Sequence, residues 1–252
     1  MDPLPDAGKA RRPGDLGSPP MKEAESLSDY VYRVLKNEIL LCRLAPGAEI
    51  SEAQLAERYA FSKAPLRSAL TRLRQEKLVM TRGRLGNIVA PITVQDVHEV
   101  FQLRLLLEVE ATRLAAGRIE PERLKRLDKR VRECHAARGH ATSEAYREAN
   151  LEFHRYIVEA SGNSRLAEMV IALIEQHERI VHFSLSLHKR DNEFHHVHDN
   201  LVEALLAGEG ARAAEIAQKA IRGSQDKVIG SFASNASQLY LSPAPSAEKG
   251  RD

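Results

Sequence analysis

SKAPLRSALTRLRQEKLVMTRGR, residues 62–84, sets seven basic side chains (Lys63, Arg67, Arg72, Arg74, Lys77, Arg82 and Arg84) against one acid, Glu76. At about 100° per residue, Leu66, Ala69, Leu70 and Leu73 share one face of a helix and need a partner to pack on. Lys63, Arg67, Thr71 and Arg74 fall on the other side, with Ala64 and Ser68 beside them. Ser62 is placed to cap this helix, Pro65 is tolerated in its first turn, and the pattern runs to about Lys77. An exposed cationic helix fits the major groove of duplex DNA with its N-terminal residues nearest the base edges. There Lys63 and Arg67 can donate to guanine O6 and N7, arginine the better because its fork is bidentate. Most charge runs are solvated helix faces, so the flanking segments decide the reading.

Upstream, Leu27, Val31, Val34, Leu35, Ile39 and Leu41 recur at helical spacing until Ala45-Pro46-Gly47. Ser51-Glu-Ala-Gln54 has the form of a capping box and opens a short helix through about Tyr59. Downstream, Leu78–Thr81 and Asn87–Ala90 look like short strands, joined through Gly83 and Gly86 by a tight turn. Three helices and a hairpin make a winged helix-turn-helix. Arg82 and Arg84, at the hairpin tip, are placed to grip phosphate or the minor groove.

The 252 residues suffice for two domains, and hydrophobic residues at 43% can supply both cores. Pro91-Ile92 is the expected junction. Thr93 with Asp96 caps a long helix to about Gly117, and only helical periods follow to about Phe232. Breaks at Glu120-Pro121, Arg138-Gly139, Ser161-Gly162-Asn163, Asp191-Asn192 and Gly208-Glu209-Gly210 divide this stretch into about six helices. The expected fold is mainly α: a disordered tail over 1–22, a winged helix over 23–91, an all-helical antiparallel bundle over 92–234 and a second tail over 235–252. No apolar run approaches the roughly 20 residues that span a bilayer, and residues 1–20 lack the apolar stretch of a secretory signal. Cys42 and Cys134 are far apart and read as reduced thiols, which fits a cytoplasmic setting. The net charge of +2 is too small to imply a partner, so local charge carries that argument.

In the bundle, Asn150 and His154 stand four residues apart and face one way, alongside Tyr146, Phe153 and Ile157. Polar groups on an apolar face need partners or cost free energy to desolvate. His198 sits likewise among Val197, Leu201 and Leu205. Two imidazoles and an amide oxygen can begin a metal site, and they can equally be a hydrogen-bonded pair of core histidines. Arg104 shares a stripe with Val97, Val100, Leu107, Ala111 and Leu114, where it either clamps an anion bidentately or pairs with Glu108 one turn on. Arg179, His182 and Ser186 lie on one side of a further helix and are candidates to line a pocket or a mixed interface.

The stretch from Glu52 through Leu55-Ala56-Glu57 and Ser62-Lys63-Ala64-Pro65-Leu66-Arg67-Ser68-Ala69-Leu70 to Leu73 and Leu78-Val79 resembles the signature of GntR-family regulators, in the form of their FadR-type branch. Lys63 stands where that family usually has Arg, and Ser68 where it usually has Glu, which implies an altered base preference. Residues 95–230 resemble the FCD effector domain, in its shorter, VanR-like form. Arg104-Leu-Leu-Leu-Glu108 with Ala115-Ala116, Asn150-Leu-Glu-Phe153-His154 with Ser161-Gly162-Asn163, and His198 with Leu201, Ala204 and Gly208-Glu209 carry the likeness. Such domains bind small organic acids, often beside a divalent metal (Zn or Ni) held by one Asp or Asn and three His. The resemblance therefore implies Asn150, His154 and His198 as metal ligands. It implies the third histidine at position 220, which is Ala, and no histidine follows His198. His195 is a possible substitute.

The reading is a homodimeric, non-enzymatic transcription regulator on double-stranded DNA, whose affinity for a palindromic operator is controlled by a small organic acid. Its DNA-binding candidates are Ser62, Lys63, Ala64, Arg67, Thr71, Arg74, Arg82 and Arg84. Its effector candidates are Arg104, Asn150, His154, Arg179, His182 and His198. Two other classes stay open: a metal-dependent enzyme or sensor built on Asn150, His154 and His198, and a ligand-independent architectural DNA binder.

Overall fold

The computed structural model describes residues 21, 24–83, 86–138, 144–187 and 198–234. Both proposed tails (Met21 aside), Arg84, His195 and the Asp191-Asn192 break lie outside the described residues. The chain divides into two compact units, with the boundary between Pro91 and Ile92.

The first unit comprises α1 (Leu27–Leu40), β1 (Glu49–Ile50), α2 (Glu52–Tyr59), α3 (Lys63–Gln75), β2 (Val79–Thr81) and β3 (Asn87–Val89). Ser26 Oγ accepts from the Asp29 N–H to start α1, and Ser51 Oγ accepts from the Gln54 N–H to start α2. The apolar stripe of α1 (Val31, Val34, Leu35, Ile39) is buried with the α3 stripe (Leu66, Ala69, Leu70, Leu73) in one core. Each fully buried leucine or isoleucine contributes about 1.5–3 kcal/mol, so this face alone settles which side of α3 points inward. The sheet order is β1-β3-β2, antiparallel throughout, with Met80 opposite Ile88 and Glu49 opposite Ile88 on the other side. Gly83 and Gly86 have φ of +46° and +76°. A Cβ at either would meet nothing within 4 Å, so the hairpin needs their backbone freedom and not their small size.

Three expectations change here. α1 stops at Leu40, five residues before Ala45, because Cys42 turns into the left-handed region at φ +53°. Ser62 occupies the N-cap position of α3 with extended backbone, but its hydroxyl makes no cap bond. β1 had no sequence signal: two residues become a strand only by pairing with β3.

The second unit contains, among the described residues, six helices: α4 (Val94–Ala115), α5 (Pro121–Arg138), α6 (Glu144–Glu159), α7 (Ser164–Leu187), α8 (Asp199–Leu206) and α9 (Gly210–Ser234). A reciprocal capping box between Thr93 and Asp96 opens α4. α4 packs chiefly on α9 and α7, α5 on α6, and α6 on α7. Phe101, Leu124, Phe153, Ile157, Ile174 and Leu205 are among the largest fully buried side chains. Polar side chains are buried with them: Arg104, Glu108, Asp128, Arg147, Asn150, Glu178 and His198. Such groups cost free energy unless partnered, so their partners locate the site. No helix among the described residues is long and apolar enough to cross a membrane.

Candidate nucleic-acid interface and ligand cavity

On α3, Ser62, Lys63, Ala64, Arg67, Ser68 and Thr71 are exposed, opposite the buried leucines. Arg67 is 68% exposed and donates Nε–H to Glu52 Oε2 of α2 at 2.8 Å. That bond leaves the terminal nitrogens, which form the fork that reads guanine, pointing outward from a fixed base. Thr71 Oγ1 donates to the Arg67 carbonyl at 2.9 Å. Arg74 donates to Thr71 Oγ1 at 3.0 Å and to Asn87 Oδ1 of β3 at 2.9 Å. Arg74 thus braces the helix against the wing. Arg72 turns the other way, pairing with Asp29 and covering the Tyr32 ring at 3.7 Å. Glu76, the single opposing acid, is also turned toward α1, where it accepts from Tyr32 and pairs with Lys36 at 2.9 Å. The charge that remains outward on α3 is therefore cationic. Arg82 is exposed at the end of β2, its N–H bonded to the Gly86 carbonyl at 2.8 Å. Glu52 and Asn87 were not singled out from sequence, where an acid in a capping box and an asparagine at a strand start have ordinary local uses.

In the second unit a cavity of about 50 Å³ is walled by α4, α6, α7, α9 and the start of α8. Arg104, Glu108 and Thr112 come from α4, Asn150 and His154 from α6, His177 from α7, and His198 from the residue before α8. Ile174, Leu201, Ile216 and Ile221 make up apolar wall. Arg104 pairs with Glu108 through Nε at 2.7 Å and Nη2 at 3.2 Å, so the ion-pair reading holds, yet Nη1 has no partner among the described residues. Asn150 Nδ2 donates to Glu178 Oε1 at 3.4 Å, and its Oδ1 is likewise unpartnered. His198 stacks on Phe153 (4.2 Å between ring centroids, 13° between planes) and turns Nδ1 toward Asp128 Oδ1 at 3.4 Å. Its Nε2 is the third unpartnered buried atom. His154 Nδ1 lies 3.5 Å from Glu108 Oε1.

Asp128 and Glu178 had no place in the sequence reading. Asp128 interrupts the α5 stripe of Leu124, Leu127 and Val131, and that interruption was the available signal. Burial alone would raise the Asp128 carboxyl, but its bonds to His198 and Arg132 outweigh burial and hold it below the usual range. A carboxylate there favours the proton on His198 Nδ1 and leaves the lone pair on Nε2. Burial pushes Glu178 up to about 7, against the pull of Arg147, 3.6 Å away, and of Asn150.

Arg179 and His182 are buried but do not line the cavity. At 100° per residue Arg179 lies about 140° round α7 from Ile174, which does. Ser186 is exposed and donates to the Phe183 carbonyl at 2.6 Å. His177, on the inward side, takes the expected role, with Ser224 Oγ 2.9 Å from its Nε2. Ala220 is not on the inward side of α9. It is exposed at the edge of the cavity, because the buried stripe of α9 runs through Ala213, Ala217, Ile221 and Ser224.

A metal held by one Asp or Asn and three His does not fit these residues. Asn150 brings no charge, the 220 position offers a methyl group, and the Arg104 cation occupies the same cavity. Among the described residues no group of three or more His, Cys, Asp or Glu is placed to hold a metal ion.

Comparison with known proteins agrees with both halves. The model of the bacterial regulatory proteins of the gntR family matches residues 27–89, and that of the FCD domain matches residues 99–223. The HTH-type transcriptional regulator YdhC of Bacillus subtilis is 31% identical over 154 residues, covering 60% of this chain and 66% of its own. The HTH-type transcriptional regulator BphR of Paraburkholderia xenovorans is 26% identical over 83% of this chain and 88% of its own. In fold, a GntR transcriptional regulator from Rhodococcus sp. RHA1 superposes with a TM-score of 0.67 at 20% identity, covering 82% of this chain and 99% of that one. McbR/YncC of E. coli gives the same score at 22% identity, over 86% and 98%. The first three of these are transcriptional regulators and not enzymes. The two family models follow one another along this chain, one on each of its two units: the chain belongs to the GntR family of bacterial DNA-binding transcription regulators, with an FCD domain behind its winged helix.

Proposed function

We propose that the protein is a cytoplasmic homodimer that binds a palindromic operator and is switched by a small organic acid held in the cavity of the second unit. The observation that carries this reading is the set of three unpartnered, buried polar atoms (Arg104 Nη1, Asn150 Oδ1 and His198 Nε2) on residues lining one cavity. An unsatisfied buried group costs about 1–3 kcal/mol, so three in one place mark a position that a ligand completes. Ser62, Lys63, Ala64, Arg67 and Thr71, with Arg82 at the end of β2, contact the DNA, and Arg74 positions the helix. Dimerisation follows from size, since one such module buries too little DNA for tight specific binding. The acid shifts the balance between two dimer geometries, only one of which matches the half-site spacing.

The test is operator binding by fluorescence anisotropy, on a site selected with the purified protein, while short carboxylic acids are titrated. A change in operator affinity that follows acid occupancy supports the switch. Operator affinity unaffected by every acid, with a steep salt dependence and no sequence preference, would instead mark an architectural binder.

A further inference from the structure

We infer that the cavity takes its acid directly, without a metal, and that the acid is a short carboxylate carrying a hydroxyl or ammonium group. The inference rests on the effector reading above and goes beyond it in ligand chemistry and in the absence of a bridging ion.

Three residues that line the cavity carry unpartnered buried atoms, one a donor and two acceptors. Arg104 keeps two nitrogens on Glu108 and turns out a third, Nη1, that can only donate. Asn150 gives its amide N–H to Glu178, which leaves a carbonyl oxygen. His198, with Nδ1 toward Asp128, offers the lone pair of Nε2. A carboxylate answers the guanidinium, and on the neighbouring carbon a hydroxyl answers one of the two acceptors with its single proton, whereas an ammonium group can answer both. Acetate answers only the first. The volume of about 50 Å³ holds about four waters, which limits the ligand to two or three carbons.

The same atoms argue against a divalent cation. A metal would meet the uncompensated edge of a guanidinium and a neutral amide. Its one carboxylate in the cavity, Glu108, is already spent on Arg104. Position 220, where the family resemblance implies a histidine, is an alanine at the exposed edge. Direct pairing of the acid with Arg104 replaces the bridge that an ion would make.

The experiment uses full-length protein, stripped with EDTA and then either left metal-free or incubated with Zn²⁺ or Ni²⁺. Metal content is read by elemental analysis, and binding of glycolate, glycine and acetate by calorimetry. The expected result is binding of glycolate or glycine to the metal-free protein, unchanged by either metal and roughly tenfold tighter than acetate, as one further hydrogen-bonded contact predicts. The variant Ala220→His, at an exposed position that tolerates the larger side chain, adds an imidazole but leaves the guanidinium and the neutral amide in place, so it too should retain no stoichiometric Ni²⁺ or Zn²⁺. Acid binding that appears only with a stoichiometric metal overturns this inference and leaves the effector reading standing. Failure of every acid to bind in any metal state overturns both. An Ala220→His protein that takes up one equivalent of metal overturns the claim that Arg104 and Asn150 exclude a divalent cation.

Discussion

Replacing Glu108 by glutamine tests how far the Arg104 guanidinium is removed from water. Arg104 is 5% exposed and Glu108 4%, and the pair is closed at 2.7 and 3.2 Å on the inside of α4. Removing one partner of a buried pair leaves an uncompensated charge, which costs about 3–5 kcal/mol. The amide oxygen still accepts from Nε, so the lower end applies, about 3 kcal/mol. With no tryptophan in the chain, unfolding in urea is best followed by circular dichroism. The Glu108→Gln midpoint should fall accordingly. The double change Arg104→Met with Glu108→Leu should recover most of the loss, because a matched apolar pair no longer strands a charge. Glycolate should raise the midpoint of Glu108→Gln more than that of the parent, since its carboxylate replaces the missing counter-charge. A double variant no more stable than Glu108→Gln alone would refute the claim that the guanidinium is desolvated, and with it the anchor of the cavity.

Arg67→Ala should weaken specific operator binding by about tenfold to a hundredfold per protomer while leaving the melting temperature unchanged, because its bond to Glu52 is exposed; anisotropy on the operator and on a site with the contacted base pair changed checks both the loss and the relaxed preference at that position. Ser51→Ala should cost about 1 kcal/mol of stability and Ser62→Ala almost none, a contrast read in the same urea titration, because only Ser51 makes its cap bond. Glu178 titrates near 7 in the folded chain and near 4.5 unfolded, so the folded state holds the extra proton between those values and stability falls as pH rises from about 4.5 to about 7. Glu178→Gln should flatten that slope relative to the parent in denaturation curves taken across this range. A parallel slope in both proteins would refute it.

The winged helix was legible because each of its elements is short and locally signalled: leucines at helical spacing in α3, a serine before α2, glycines at the hairpin. What stayed hidden is pairing across elements. Nothing in Glu52 announces that it will hold Arg67, and nothing in Asn87 that it will receive Arg74. In the bundle, periodicity put Asn150, His154 and Arg104 on inward faces and the structure brings them to one cavity with His198. Periodicity does not rank the polar residues of α7, where nearly every side from His177 to Ser184 is buried, so it points to Arg179 and His182 and not to His177. Ala220 shows the same limit at finer scale: a shift of one position along α9 moves a residue from the wall to the edge.

α4 joins a charged anchor to the start of its own unit without a break. Arg104 lies ten residues after Val94, about 15 Å along one uninterrupted helix, and the Thr93–Asp96 cap seals the end that meets the boundary at Pro91. Val94 follows Pro91, the last residue of the first unit, by three positions, so the chain that carries the guanidinium runs on into the winged helix with only Ile92 and Thr93 between them.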